Sequence, residues 1–308
     1  MSKLHIKHRQ RKLSHIVGNE ELIETIQELM KQEDRPQTYL LSGPRGCGKT
    51  TIAKIMAKEF GSKGRDIKLL NIGNTGGVEE ARRIDQECHY APQGKAKTYI
   101  LDECQRGSAQ FFDALLRVTE EPPANVYFVF ATTQKEKLPA PLQSRCSLKN
   151  LPVKLLKDTE MEILVKMILK KEGKDFSSKT VKMIIESAEG SPREALVCLN
   201  EIINLSDKQA QKILLKYSYE EDKNVALLCR EMIKANWKEC SRLIPIIEKS
   251  GLDSESVRRI ILRYFQKALL GSGKEQFAEI LDCFTENTWN CGWPGLSLWI
   301  YEACQNYK

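Results

Sequence analysis

Apolar positions change their period along the chain, and the changes predict its elements. From Asn19 to Lys31, Leu22, Ile23, Ile26, Leu29 and Met30 recur at helical spacing, with Asn19 ahead of them as an N-cap. Tyr39, Leu40 and Leu41 then form a short apolar run that reads as a buried strand entering a glycine-rich turn. The helical period returns over 50–60, where Ile52, Ile55, Met56 and Phe60 share a face and Gly61 is the stop. Runs at 68–72, 98–101 and 126–131 predict further buried strands. Between the last two, a helix over 108–120 carries Phe111, Phe112, Leu115 and Leu116 and is ended by Pro122 and Pro123. Near-continuous apolar strands alternating with helices predict a parallel sheet covered on both faces.

That alternation stops near residue 153. Beyond Pro152 the period is almost wholly helical, with Ser177 and Ser191 as N-caps and Pro192 at a first helical position. A long helix is predicted over 253–270, with Val257, Ile260, Ile261, Tyr264, Phe265 and Leu269 on its apolar side. The expected domains are therefore an α/β domain over 1–153, a small helical domain over 154–207 and an all-helical domain over 208–308. No internal repeat or low-complexity tract interrupts them.

Composition narrows the class. With 308 residues, 41% hydrophobic and 29% charged, the chain has a folded, soluble composition and room for two or three domains. No apolar run is long enough to span a bilayer, and the basic N-terminal segment lacks a secretory apolar stretch. A cytoplasmic protein with no membrane partner is the expectation (host cytoplasm if it is viral). The 10 cysteines include no CxxC pair, which fits reduced residues rather than disulfides or zinc. His5 and His8 lie three apart but lack further ligands, so no metal is expected there. The net charge of +7 favours an acidic partner such as nucleic acid, once particular basic residues fall at suggestive places.

The chemistry concentrates in two segments. Gly43, Pro44, Arg45, Gly46, Cys47, Gly48, Lys49 and Thr50, with Thr51 behind them, make a full GxxxxGKT phosphate loop between a predicted strand and a predicted helix. Its glycines let backbone N–H groups close around phosphates; Lys49 reaches the β- and γ-phosphates, and the Thr50 hydroxyl ligates Mg²⁺. Gly271 to Lys274 resembles such a loop superficially, but lacks the earlier glycine and the following Ser or Thr, and reads as a loop. About fifty residues after the first, an apolar strand ends in Asp102 and Glu103. Asp102 is assigned to the metal and Glu103 to orienting the attacking water. ATP with Mg²⁺ is the expected ligand.

The stretch from Asp102 to Cys146 closely resembles the clamp-loader ATPase family of AAA+ proteins, particularly the bacterial DNA polymerase III gamma/tau subunit and its phage relatives. The matching features are a helix ending in Glu120, Glu121, Pro122 and Pro123, a strand ending in Ala131, Thr132 and Thr133, and the motif Ser144, Arg145, Cys146. The resemblance covers roughly 8–200. It implies a P-loop α/β domain, a helical lid and an all-α oligomerisation collar. Thr132 or Thr133, the latter preferred, takes the sensor-1 place beside the γ-phosphate. Arg145 takes the place of an arginine finger completing a neighbouring subunit's site, and Arg193, after Gly190, Ser191 and Pro192, that of sensor 2. Lys7, His8, Arg9 and Gln10 with Ile16, Val17 and Gly18 resemble the adenine pocket, for which Arg9 and Val17 are the contacts taken; the family pattern has a tyrosine and a proline where His8 and Gln10 stand.

A four-cysteine zinc module of bacterial members is missing: Cys88 is the one cysteine between Phe60 and Thr98, which implies a trimmed member without zinc. Arg82, Arg83 and Arg106 are the candidates for gripping DNA phosphates without reading bases, with a solvated basic helix face as the other reading of Arg82. In placement only, the C-terminal part resembles the collar, and Trp289, Trp293 and Trp299 read as packing or subunit-contact residues. The implied partners are a sliding clamp, primer-template DNA and companion subunits in a pentamer. Two rival readings stand beside this one: a non-hydrolysing structural arm, against which Lys49, Thr50, Asp102 and Glu103 argue, and a DNA-translocating AAA+ motor.

Overall fold

In the computed structural model, which describes residues 3–146, 150–217, 223–288 and 291–305, the alternating period becomes five parallel strands. They are β1 (Thr38–Ser42), β2 (Ile67–Asn71), β3 (Lys97–Asp102), β4 (Val126–Thr132) and β5 (Asn150–Pro152), in the order β2-β3-β4-β1-β5. Successive residues of the central strands go to opposite layers, as a two-residue period requires. Tyr39, Leu41, Ile100, Val129 and Ala131 join Ile26, Ile52 and Met56 on one face. Leu40, Tyr99, Leu101, Phe128 and Phe130 join Ile84, Phe111 and Leu115 on the other. Phe128 and Phe130 are wholly buried, so truncating either to alanine costs about 3–5 kcal/mol.

Two local expectations are corrected. The second strand is not buried: β2 pairs only with β3, stands at the sheet edge, and leaves Leu69 43% exposed. Asn19 does not cap the helix Glu20–Lys31. It lies at φ 56°, and its side chain instead accepts from the Lys154 N–H (2.7 Å) and donates to the Lys154 carbonyl (3.1 Å). A backbone pair across 135 residues has outcompeted the local cap.

The chain divides into two compact units, Met1–Ala210 and Gln211–Lys308. The first holds the sheet and the helices Asp158–Lys171, Ser178–Ala188 and Pro192–Ile202, which form a lid. Ser177 and Ser191 cap the last two of these by accepting from Thr180 N and Glu194 N, as expected. The N-terminal segment is fastened to this lid. Leu4 N donates to Asn200 Oδ1 (3.1 Å), Lys7 Nζ meets Glu172 (2.6 Å), and His8 Nε2 bonds the same carboxylate. These partners hold the Glu172 carboxyl below its ordinary range.

Helices of the second unit, among them Trp237–Lys249, Ser254–Ser272 and Gly292–Gln305, surround Leu228, Ile247, Ile261, Phe265 and Phe284. Asp253 caps the long helix by accepting from Ser256 N (3.0 Å), and Gly273 at φ 65° ends it, so the segment read as a loop begins within the helix. Trp293 and Trp299 pack against this core, while Trp289 lies outside the described residues. Among the described residues, all cysteines are free thiols and no helix is long and apolar enough to cross a membrane. Asp85, Cys88 and His89 bring metal-capable atoms within 4.8 Å of one another, but the Cys88 thiol is engaged by the Asp85 carbonyl (3.0 Å).

Candidate nucleotide site

Strands β1, β3 and β4 end at Ser42, Asp102 and Thr132, and the register that pairs Ser42 with Thr132 brings these ends to one edge of the sheet. Ligands of parallel α/β sheets bind beyond this carboxyl edge. The loop after β1 turns with Gly46 at φ 79° and Gly48 at φ 110°, where residues with a Cβ are disfavoured, and delivers the chain into the helix Lys49–Glu59. That helix begins at Lys49 directly after the glycine-rich loop, and a helix N-terminus behind such a loop is a ready anion site.

Lys49 is 7% exposed, and its ammonium is held by the Gly43 (2.8 Å) and Pro44 (2.7 Å) carbonyls. Thr50 Oγ1 donates to Asp102 Oδ2 (2.7 Å), while Asp102 Oδ1 accepts from Glu103 N (3.1 Å). The sequence separates Thr50 and Asp102 by 52 residues; the fold makes them neighbours. A hydroxyl beside a carboxylate is a hard-oxygen donor set of the kind Mg²⁺ takes. Glu103 sits at φ 55°, a left-handed conformation rare outside glycine, and its carboxylate accepts from Gln105 Nε2 (2.6 Å).

These groups open into a cavity with three walls. The loop from Arg45 to Ile52 with Asp102 and Glu103 forms one; the N-terminal residues His5, His8, Arg9, Gln10, Ile16 and Val17 form the second; Leu156, Leu164, Pro192, Arg193 and Leu196 of the lid form the third. Its chemistry is divided between cations suited to phosphates and aliphatic side chains suited to a planar base. The cations crowd one another. Burial, followed by Lys3, Arg193 and Arg9, lowers the His5 pKa, and burial with Arg9 lowers that of Lys54. A bound polyanion relieves this repulsion. The lid touches the loop directly: a Cβ at Gly46 would lie 2.2 Å from Ser191 Oγ.

The remaining candidates fall elsewhere. Arg145 does not line the cavity; it donates to the Leu116 carbonyl (2.9 Å) and pairs with Glu120 (2.9 Å). Arg82 and Arg83 lie exposed on the helix Val78–Cys88, paired with Glu79 (2.9 Å) and Glu80 (2.6 Å). Exposed Arg106 packs against Gly73, where a Cβ would meet its Cδ at 3.0 Å. Of the two strand-end threonines, Thr132 is fully buried and its hydroxyl donates to Gln105 Oε1 (3.0 Å); Thr133 is half-buried. Sequence reasoning missed Gln105, His5 and the lid leucines. A polar residue three places after a strand-ending aspartate was the available signal for Gln105; the leucines were indistinguishable from core.

Residues 39–151 match the family described as "ATPase family associated with various cellular activities (AAA)". The DNA polymerase III subunit gamma of Buchnera aphidicola (subsp. Schizaphis graminum) is 30% identical over 285 residues, covering 84% of this chain and 77% of that protein. The DNA polymerase III subunit tau of Escherichia coli K12 is 30% identical over 275 residues, covering 82% of this chain and 42% of its own length. The gamma/tau subunit of Mycobacterium tuberculosis is 30% identical over 65% of this chain and 38% of that protein, so the chain spans less than half of these longer relatives. Among solved structures, the Thermotoga maritima RuvB Holliday junction branch migration motor superposes with a TM-score of 0.57 at 19% identity, over 73% of this chain and 79% of that one, a likeness of fold alone. The sheet, the phosphate loop and the extent of the gamma-subunit match together make this chain a member of the DNA polymerase III gamma/tau family of AAA ATPases.

Proposed function

We propose that the chain is an ATPase subunit of a sliding-clamp loader, which opens a DNA polymerase processivity clamp with companion subunits, places it on primer-template DNA and releases it on ATP hydrolysis. The observation that carries this reading is the convergence of Lys49, Thr50, Asp102 and Glu103 at one sheet edge, beneath Arg193 of the lid, in a gamma/tau family chain. A structural arm has no need of that set. Lys49 and Arg193 hold the phosphates, and Glu103 orients the attacking water. Thr50 and Asp102 would hold Mg²⁺, which when bound offsets phosphate charge. Arg9 and Val17 lie on the base side. The place of Arg145 outside its own chain's cavity supports a role on a neighbour's γ-phosphate, and hence an assembly, pentameric in this reading. Arg82, Arg83 and Arg106 grip DNA phosphates in a sequence-tolerant way.

Steady-state ATP hydrolysis of the chain with its companion subunits, with and without primer-template DNA and a clamp, tests the proposal. Stimulation that needs DNA and clamp together supports it. Stimulation by DNA alone, indifferent to the clamp, would favour a translocating motor, and no hydrolysis in any mixture a structural arm.

A further inference from the structure

Gln105 has no part in the assignments above, yet it is the group that joins two of them. Its side-chain amide bonds Glu103 Oε2 at one end (2.6 Å) and Thr132 Oγ1 at the other (3.0 Å), and Thr132 Oγ1 accepts from the backbone N–H of Gln134 (3.0 Å). Donor and acceptor chemistry gives this chain one direction. An ionised carboxylate only accepts, so the amide NH₂ must face Glu103 and the amide oxygen must face Thr132. The threonine hydroxyl then spends its hydrogen on Gln105 and offers a lone pair to Gln134 N–H. The relay runs Gln134 to Thr132 to Gln105 to Glu103, from the end of β4 to the end of β3.

The local backbone is shaped to make this contact. Glu103 lies at φ 55° and ψ 36°, and the single turn Cys104–Arg106 that follows is closed by Arg106 N to Glu103 O (3.1 Å) and Gly107 N to Cys104 O (3.1 Å). That turn folds Gln105 back beside the carboxylate two residues earlier. A left-handed non-glycine residue is strained and persists where its surroundings over-determine it. Thr132 is the rigid end of the relay, fully buried on a strand paired to both neighbours.

We infer that Gln105 is a positioning residue that ties the Glu103 carboxylate to the strand-end hydroxyl of Thr132, fixing the angle from which Glu103 addresses the attacking water. The inference rests on the ATPase reading. Gln105 touches neither phosphate nor water itself in this role; it acts through Glu103.

The test uses the full complex with clamp and primer-template, measuring kcat for ATP hydrolysis and, separately, Kd for a fluorescent ATP analogue. Gln105→Leu removes both bonds, and Gln105→Glu keeps an acceptor for Thr132 while setting a carboxylate against Glu103. Both should lower kcat about 10- to 100-fold with Kd changed less than about threefold, since an oriented proton-transfer group contributes on the order of 10²–10⁴. In a Glu103→Gln background, Gln105→Leu should cost nothing further, and Thr132→Val combined with Gln105→Leu should be no slower than the worse single variant. An unchanged kcat in the Gln105 variants would overturn the inference, as would equal losses in kcat and affinity or full additivity with Glu103→Gln. A wild-type complex that binds ATP without hydrolysing it would instead overturn the ATPase reading and this inference with it.

Discussion

Replacing Gly46 with alanine perturbs two things that the structure lets us weigh separately. The first is backbone: Gly46 lies at φ 79°, where an L-residue costs about 1–2 kcal/mol. The second is contact with the lid. The new Cβ would fall 2.2 Å from Ser191 Oγ and 3.3 Å from Ser191 Cβ, and Ser191 is buried, so the hydroxyl cannot simply swing into solvent. That hydroxyl caps the helix Pro192–Ile202 by accepting from Glu194 N (3.3 Å), and losing such a cap costs about 1 kcal/mol. Together the losses reach about 2–3 kcal/mol against this loop–lid arrangement, an upper bound of roughly 30- to 150-fold in affinity for a nucleotide that binds only to it. Glycine at an N-cap costs only a few tenths of a kcal/mol, so adding Ser191→Gly should recover roughly threefold while leaving the backbone cost in place. Titration with a fluorescent ATP analogue reads both effects, and thermal unfolding shows that the variants are folded. Affinity of Gly46→Ala within twofold of wild type, or no recovery in the double variant, would refute the argument.

Arg145→Ala should leave ATP affinity of the isolated chain nearly unchanged while lowering turnover of the assembled complex by about 10³-fold or more; undiminished turnover would place the finger on another residue. Arg82→Ala should weaken DNA stimulation and reduce the salt slope of DNA binding by about one; an unchanged slope would mean its exposed pair with Glu79 is simply a solvated helix face. In the second unit, burial would raise the Glu255 carboxyl, but hydrogen bonds from Arg258 and Thr288 outweigh it and hold the pKa at about 2. A depressed pKa contributes stability above the ordinary value of 4.5 that is lost as pH falls from there towards 2, here about 3 kcal/mol. Glu255→Gln should therefore flatten the acid side of the unit's stability profile in urea unfolding, and parallel profiles would remove Glu255 as the cause.

What was legible in the sequence was what short segments determine. The phosphate loop, the strand ending in Asp102 and the caps at Ser177 and Ser191 each depend on a few consecutive residues, and each is found where its pattern points. The misreadings depended on distant partners. Nothing in the composition of 68–72 says that β2 has a neighbour on one side only. Asn19 carries every local mark of a cap, but Lys154 offers it a paired backbone bond. Gln105 looked like any polar residue after a strand, because Thr132 lies 27 residues further on. The lid leucines 156, 164 and 196 have the helical period of core residues, and only the tertiary arrangement leaves them facing a cavity.

The fastening of the N-terminal segment to the lid has a practical consequence. Lys7, Arg9, Arg11 and Lys12 lie within six residues, four trypsin sites on a strap held by Asn200 and Glu172. A protease cuts chain that has opened locally, so cutting there requires the strap to leave the lid first. The rate of tryptic nicking at the N-terminus thus gauges how often the base side of the cavity stands open, and a ligand that bridges strap and lid will slow it in proportion to its occupancy.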